Sequence, residues 1–368
     1  MDKTCFFADT KPHYDILDGL RGVAALIVIV CHVFELYPST ATPHGFLAVD
    51  FFFILSGFVI GYAYDSRWDR MTVGGFFKRR LIRLHPMVIF AAVLGAVTFL
   101  LQGGVKWDGS HVGFGWVMLA MLMTMCMIPS SPGMQTEVRG NGEIFPLNGP
   151  SWSLFFEYIG NILYALLLRK LPKLGLAVLA VITGGLLAWI SISNGCIEQG
   201  WTMARGGFWA GLVRMLFPYT MGMLMARVFR PMKIKGAFPL ASLILILATC
   251  FPTLGGAAWH NGLYEVLCVI LVFPAIVWMG ASDQNISAGT KKVCRFLGDL
   301  SYPLYIIHYP LFYLYYAYIG FDGSGVSIPI GEAWPVAIGV SALSILLAWL
   351  CMRFYDMPLR KRLSRTLI

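Results

Sequence analysis

The chain has 368 residues, 58% of them apolar and only 13% charged, with a mean hydropathy of +0.70. That balance excludes an ordinary soluble domain and indicates an integral membrane protein. The formal net charge of +9 does not point to nucleic acid, because the basic residues cluster between apolar runs, where loops retained in the cytoplasm carry them.

About eleven apolar segments follow one another, near residues 16–37, 46–64, 86–102, 113–129, 150–168, 174–192, 207–226, 237–256, 262–280, 298–318 and 334–352. Each approaches the roughly 20 residues that cross a hydrocarbon core. The first lacks a small-residue cleavage site and is expected to remain in the mature protein. Basic stretches "SRWDRMTVGGFFKRRLIR", "RKLPK", "RVFRPMKIK", "KKVCR" and "RFYDMPLRKRLSR" read as cytoplasmic; "YPSTATPH", "TLGGAAWHN" and "GFDGSGVSIPIGEAW" read as external. The longest hydrophilic stretch, "SSPGMQTEVRGNGEIFPLNGP", also reads as an external loop. Parity fails between residues 86 and 150, where two segments stand but an odd number of crossings is required. The predicted fold is therefore an all-α polytopic membrane protein. It has about ten transmembrane helices, one re-entrant or interfacial segment (86–102 or 113–129) and both termini cytoplasmic. Residues 1–368 form a single membrane domain in this reading, with no separate soluble domain. The eight cysteines show no CxxC or paired spacing, so no metal site or disulfide framework is expected.

Ionisable residues inside such segments are costly and usually face a protein interior. In the first segment Asp18, Arg21, His32 and Glu35 project within about a 100° sector; Arg21 and His32 are separated by about 20° around the axis and about 16 Å along it. Asp50 and Glu157, counted from their segment starts, fall roughly 6 to 10 Å from the external side, in one layer with His32. Each also has a packing explanation: an interhelical hydrogen bond for His32, a helix-start position for Asp50, an arginine partner for Glu157. Ser301, Tyr305 and His308 lie within about 60° of one another on the tenth segment, as a site wall or as packing groups, with Pro303 and Pro310 expected to bend it. Lys78, Arg79, Arg80 and Arg83 are either a topological anchor or a seat for a phosphate-bearing ligand from the cytoplasm.

Five stretches in order, "LDGLRGVAALIVIVCH", "VDFFFILSGFVIG", "FFKRRLIRL", "PSWSLFFE" and "LSYPLYIIHYP", resemble the acyltransferase 3 family of bacterial membrane proteins, which modify extracytoplasmic glycans and lipids, often by O-acetylation. The resemblance covers nearly the whole chain. Residues departing from the family pattern include Ala48, His85 and Tyr158. The resemblance implies acyl-CoA, most simply acetyl-CoA, as a donor entering from the cytoplasm, with a carbohydrate or lipid-linked carbohydrate hydroxyl as acceptor and the bacterial cytoplasmic membrane as location. It matches His32 to the family's essential histidine, Arg21 to its upstream arginine, Arg80 and Arg83 to its basic cluster, and Glu157 to the acid after its Trp-Ser-Leu motif.

The mechanism expected from these residues places Arg79, Arg80 and Arg83 on the coenzyme A phosphates and His32 as general base, since imidazole titrates near neutrality. Glu157 or Asp50 is expected to orient the imidazole, and Arg21 or a tenth-segment side chain to stabilise the oxyanion. A non-enzymatic transporter or flippase of a glycan or lipid-linked intermediate is the competing reading.

Overall fold

A helix satisfies its own backbone hydrogen bonds, which hydrocarbon cannot do for it, and the apolar runs fold accordingly. The computed structural model describes residues 13–37, 41–282 and 286–367. In chain order these contain α1 (Asp15–Phe34), α2 (Ala48–Tyr64), α3 (Val73–Leu101), α4 (Phe114–Met125), α5 (Ser151–Leu166), α6 (Lys173–Asn194), α7 (Gly207–Val228), α8 (Ala237–Cys250), α9 (Trp259–Leu267), α10 (Phe273–Ser282), α11 (Ala288–Tyr318), α12 (Ile330–Cys351) and α13 (Met357–Leu367). π-helical turns at Cys268–Val272 and Met352–Asp356 join α9 to α10 and α12 to α13. Among the described residues the only β pairing is two isolated bridges, Val105 with His111 and Glu143 with Thr202.

Every apolar segment expected from sequence meets a helix, and the chain is a multi-pass membrane protein. Among the described residues six stretches are long and apolar enough to cross a membrane: Asp15–Phe34, Gly45–Arg67, Val73–Leu101, Lys173–Asn194, Trp259–Ser282 and Ile330–Leu367. The difference from the expected ten has physical causes. Helices α4, α5 and α8 have only 12, 16 and 14 residues. Helices α7 and α11 are long but less apolar: α7 carries Arg214 and Arg227, and the charge-free part of α11 from residue 300 to 318 is rich in Tyr and holds Pro303, His308 and Pro310. Of the two segments that broke the parity, α3 has 29 residues and α4 has 12, about 43 Å against about 18 Å at 1.5 Å per residue. Only α3 exceeds the roughly 30 Å hydrocarbon thickness.

Glycines set how closely the central helices approach. A Cβ at Gly57 of α2 would lie 2.0 Å from the Tyr219 carbonyl oxygen of α7, and one at Gly222 of α7 would lie 2.2 Å from the Ile54 carbonyl oxygen of α2. A Cβ at Gly298 of α11 would lie 2.4 Å from Asp18 Cβ of α1. Lipid provides no hydrophobic drive for helices to associate, so this close van der Waals packing holds the pairs together.

Residues 130–150, expected as an external loop, turn several of their side chains inward. Val138, Phe145, Leu147 and Asn148 are buried, and Asn148 Nδ2 donates to the Ile306 carbonyl at 2.8 Å. Arg139 anchors the segment. Its Nε donates to the Pro146 carbonyl (3.0 Å), its Nη1 to Gln102 Oε1 (2.6 Å), and its guanidinium carbon lies 3.5 Å from the centre of the Tyr313 ring. The chain thus reaches α5 already buried, and Ser151 at the helix start is 1% exposed.

Candidate active site

Helix α1 carries His32 on the wall of a cavity of about 480 Å³. His32 Nδ1 meets Glu35 Oε2 at 2.6 Å, one helical turn along the same face. Tyr316 of α11 donates to the same carboxylate oxygen at 2.6 Å, and Tyr309 reaches Glu35 Oε1 at 3.4 Å. An ionised Glu35 accepts from Nδ1–H, which leaves the lone pair on Nε2. The imidazole is flanked by His308, stacked with ring centres 5.1 Å apart, and by the edge of Tyr309 at 4.7 Å. His308 is fully buried; its Nδ1 donates to the Leu304 carbonyl at 3.0 Å and its Nε2 has no hydrogen-bond partner.

The rest of the large cavity is aromatic and acidic, with Trp107, Trp152, Trp201, Tyr313, Glu143 and Glu198 on its walls. Burial pushes the Glu143 carboxyl up to about 7 despite its hydrogen bond from Tyr313. Glu198 is open to the cavity, and its enclosure there together with the nearby charge of Glu35 holds its carboxyl above the ordinary glutamate range. The loop bearing Glu198 is tied down where Ile197 N–H donates to Glu265 Oε2 at 2.7 Å.

Asp50 does not orient His32. It is paired with Arg214 of α7, whose Nε and Nη2 donate to it at 3.0 and 2.8 Å and whose Nη1 donates to the Gln199 carbonyl at 3.1 Å. Both partners are buried, the condition under which a charge pair needs full hydrogen bonding. Glu157 does not line the His32 cavity either. It accepts from Arg80 Nη2 at 2.7 Å and from Ser56 Oγ at 2.8 Å, within a second cavity of about 100 Å³ whose walls include Arg21, Arg83, Ser301 and Tyr302. His32, Asp50 and Glu157 therefore do not line one common cavity. Arg21 also lines the small cavity rather than the large one, separated from His32 along α1 as its spacing requires.

The basic cluster divides. Arg80 lines the small cavity, Arg79 lines a basic groove of about 410 Å³, and Arg83 lines both. Tyr305 and Val49 line both the small and the large cavity. The Tyr305 hydroxyl is 2.6 Å from Ser153 Oγ, and Ser301 Oγ donates to the Gly298 carbonyl at 2.7 Å. Groove, small cavity and large cavity therefore adjoin in series through Arg83 and then Tyr305 with Val49. Among the described residues no group of three or more His, Cys, Asp or Glu side chains is placed to hold a metal ion.

Sequence reasoning placed Glu35 on the polar face but gave it no role, although a carboxylate three residues from a histidine on one helix is a local pairing signal. It passed over Arg214, whose position inside an apolar run was itself a signal. For Glu143 and Glu198, set in loops, there was none.

A family profile described as an acyltransferase domain matches residues 14–353. The chain belongs to the acyltransferase 3 family. Relatives of this acyltransferase 3 protein include protein 2 in the picA locus of Rhizobium radiobacter, 35% identical over 41% of this chain and 80% of the relative. Acyltransferase MdmB of Streptomyces mycarofaciens is 25% identical over 95% of this chain and 92% of its own length. A Staphylococcus aureus (strain COL) protein, SACOL0978, which bears the name of an O-acetyltransferase, is 27% identical over 98% of this chain, which spans 60% of that longer protein. No solved structure gives a significant match. Membership in acyltransferase 3 makes the chain a membrane O-acyltransferase.

Proposed function

We propose that the protein moves an acyl group, acetyl in the first instance, from cytoplasmic acyl-CoA to a hydroxyl of an extracytoplasmic or lipid-linked carbohydrate at the bacterial cytoplasmic membrane. The observation that carries this reading is the series of adjoining cavities. It begins among arginines suited to phosphate and ends at a histidine whose second nitrogen is held by a carboxylate.

In this mechanism Arg80 and Arg83, with Arg79 at the groove, hold the donor's phosphates while the thioester passes Tyr305 to reach His32. His32 Nε2 takes the proton of the acceptor hydroxyl as its oxygen attacks the thioester carbon. Glu35 stabilises the resulting imidazolium. The tetrahedral oxyanion is stabilised by the Tyr305 hydroxyl, on the wall shared by the two cavities, rather than by Arg21. Collapse breaks the carbon–sulfur bond, and the imidazolium proton goes to the departing thiolate as free coenzyme A. The aromatic walls of the large cavity, with their carboxylates, suit a sugar, whose apolar faces stack and whose hydroxyls donate.

The same series of cavities would serve a transporter, so the decisive assay follows sulfur. Proteoliposomes given acetyl-CoA and a crude lipid-linked carbohydrate fraction should release coenzyme A thiol in step with ester formation. Movement of the carbohydrate across the membrane with no thiol released would reject the enzyme in favour of the transporter.

A further inference from the structure

The C-terminal helix α13 is basic, and its sequence reads as a topological anchor. Its position says more. Helix α12 runs into it through the π-helical turn Met352–Asp356, and Tyr355 within that turn donates to the Pro86 carbonyl of α3 at 3.1 Å. The junction thereby lays α13 against the end of α3 that bears Arg79 and Arg83. Arg360 and Lys361 of α13 then join Arg79 and Arg83 on the walls of the 410 Å³ groove, with Ser364 and Tyr64 beside them. Asp356, itself buried, ion-pairs with Arg360 at 2.8 Å. Four cationic side chains converging on one groove make it a favourable seat for a polyanion.

We infer that α13 supplies Arg360 and Lys361 to a polyphosphate site, completing with Arg79 and Arg83 the seat for the nucleotide end of the acyl donor. The inference rests on the reading of acyl-CoA as donor. Two sources offer phosphate here, the donor nucleotide and an anionic lipid headgroup. The donor is favoured because Arg83 belongs to both the groove and the small cavity. A ligand seated there has its phosphates outside and an arm running inward past Arg21, Arg80, Ser56 and Glu157, set among Phe52, Leu55 and Leu84, a mixed lining that suits an amide-bearing arm better than a plain hydrocarbon chain. Tyr64 gives the groove an aromatic face of the kind on which a base stacks.

The test uses the full-length protein in phosphatidylcholine nanodiscs with a crude lipid-linked carbohydrate fraction as acceptor, and as donors acetyl-CoA and S-acetylpantetheine, which has the thioester arm but no nucleotide. The double variant R360Q/K361Q is expected to raise KM for acetyl-CoA by roughly ten-fold or more, since a charged hydrogen bond contributes about one decade in affinity. Its kcat should hold, as should its KM for S-acetylpantetheine. R365Q, which removes a charge from α13 away from the groove, should match wild type with both donors. Should the double variant express poorly, K361Q alone, altering an exposed side chain, is expected to show the same donor selectivity at smaller amplitude. Equal KM for acetyl-CoA in wild type and double variant would overturn the inference while leaving the donor reading intact. A double variant that loses phosphatidylglycerol binding in mixed nanodiscs but keeps its KM for acetyl-CoA would assign the groove to lipid and overturn it equally. Wild-type protein that releases thiol from neither donor would instead overturn the donor reading itself.

Discussion

Replacing Glu35 by Gln preserves the shape of the site and removes only the charge against His32 Nδ1. The contact is short, 2.6 Å, and the carboxylate is fixed by Tyr316 at 2.6 Å on the same oxygen. In the variant an amide N–H turned toward Nδ1 stabilises the tautomer whose proton sits on Nε2, which cannot accept from the acceptor hydroxyl. The imidazolium formed in the transition state also loses its counter-charge. General-base catalysis contributes about 10²- to 10⁴-fold, so E35Q is expected to lower kcat by a factor in that range, about 3 to 5 kcal/mol in barrier. KM for acetyl-CoA should stay put, because the proposed seat of the donor's phosphates lies among arginines of other cavities. Initial rates of thiol release across a donor titration measure both parameters. A kcat equal to wild type in a correctly folded E35Q protein would refute the claim that this carboxylate sets the histidine's protonation.

Three further perturbations test the scaffold. Asp50→Asn leaves Arg214 buried without its counter-charge, and breaking a buried pair costs about 3 to 5 kcal/mol; a clear fall in Tm is expected, and an unchanged Tm would remove the pair from the stability account. Gly57→Ala drives a methyl to within 2.0 Å of the Tyr219 carbonyl oxygen, an overpacking expected to cost about 1 to 3 kcal/mol and to be read as lost thermal stability, with Gly74→Ala, in open space, as the control. Glu143 has its folded pKa raised to about 7 by burial, so the folded state binds its proton more tightly than the unfolded chain. The stability it contributes is complete below the ordinary glutamate range and is lost as pH rises toward 7. Tm should therefore fall over that window in wild type and fall less in E143Q, and parallel profiles would contradict the assignment.

The fold was legible wherever hydropathy decides it. All eleven apolar segments became helices because hydrocarbon leaves the backbone no alternative but a barrel. Crossing numbers were less legible, since α5 starts inside the protein behind a buried Asn148, and the 130–150 segment tucks polar residues inward through Arg139. Composition marks such a segment as hydrophilic without saying that a guanidinium stacked on Tyr313 pays for its burial. The site was legible as residue types and not as partnerships. His32, Tyr305 and the arginines stand on cavity walls; Asp50, read as a partner of the histidine or a helix-start residue, pairs with Arg214, and Glu157 takes an arginine partner, Arg80, which was its alternative reading. Helical angles place side chains on a face of their own helix; they carry no information on the rotation or depth of the helix opposite. Glu35 escaped that difficulty because its partner lies on the same helix, one turn away.

The central claim is that His32 Nε2 is the base of an acyl transfer, and radiolabel transfer from acetyl-CoA tests it most directly. Membranes expressing wild type or His32→Ala would be supplied with labelled acetyl-CoA, and label counted in the surface and lipid-linked carbohydrate at matched protein levels. The account predicts label in the wild-type carbohydrate pool and its loss in His32→Ala. Equal labelling by the two proteins would contradict it.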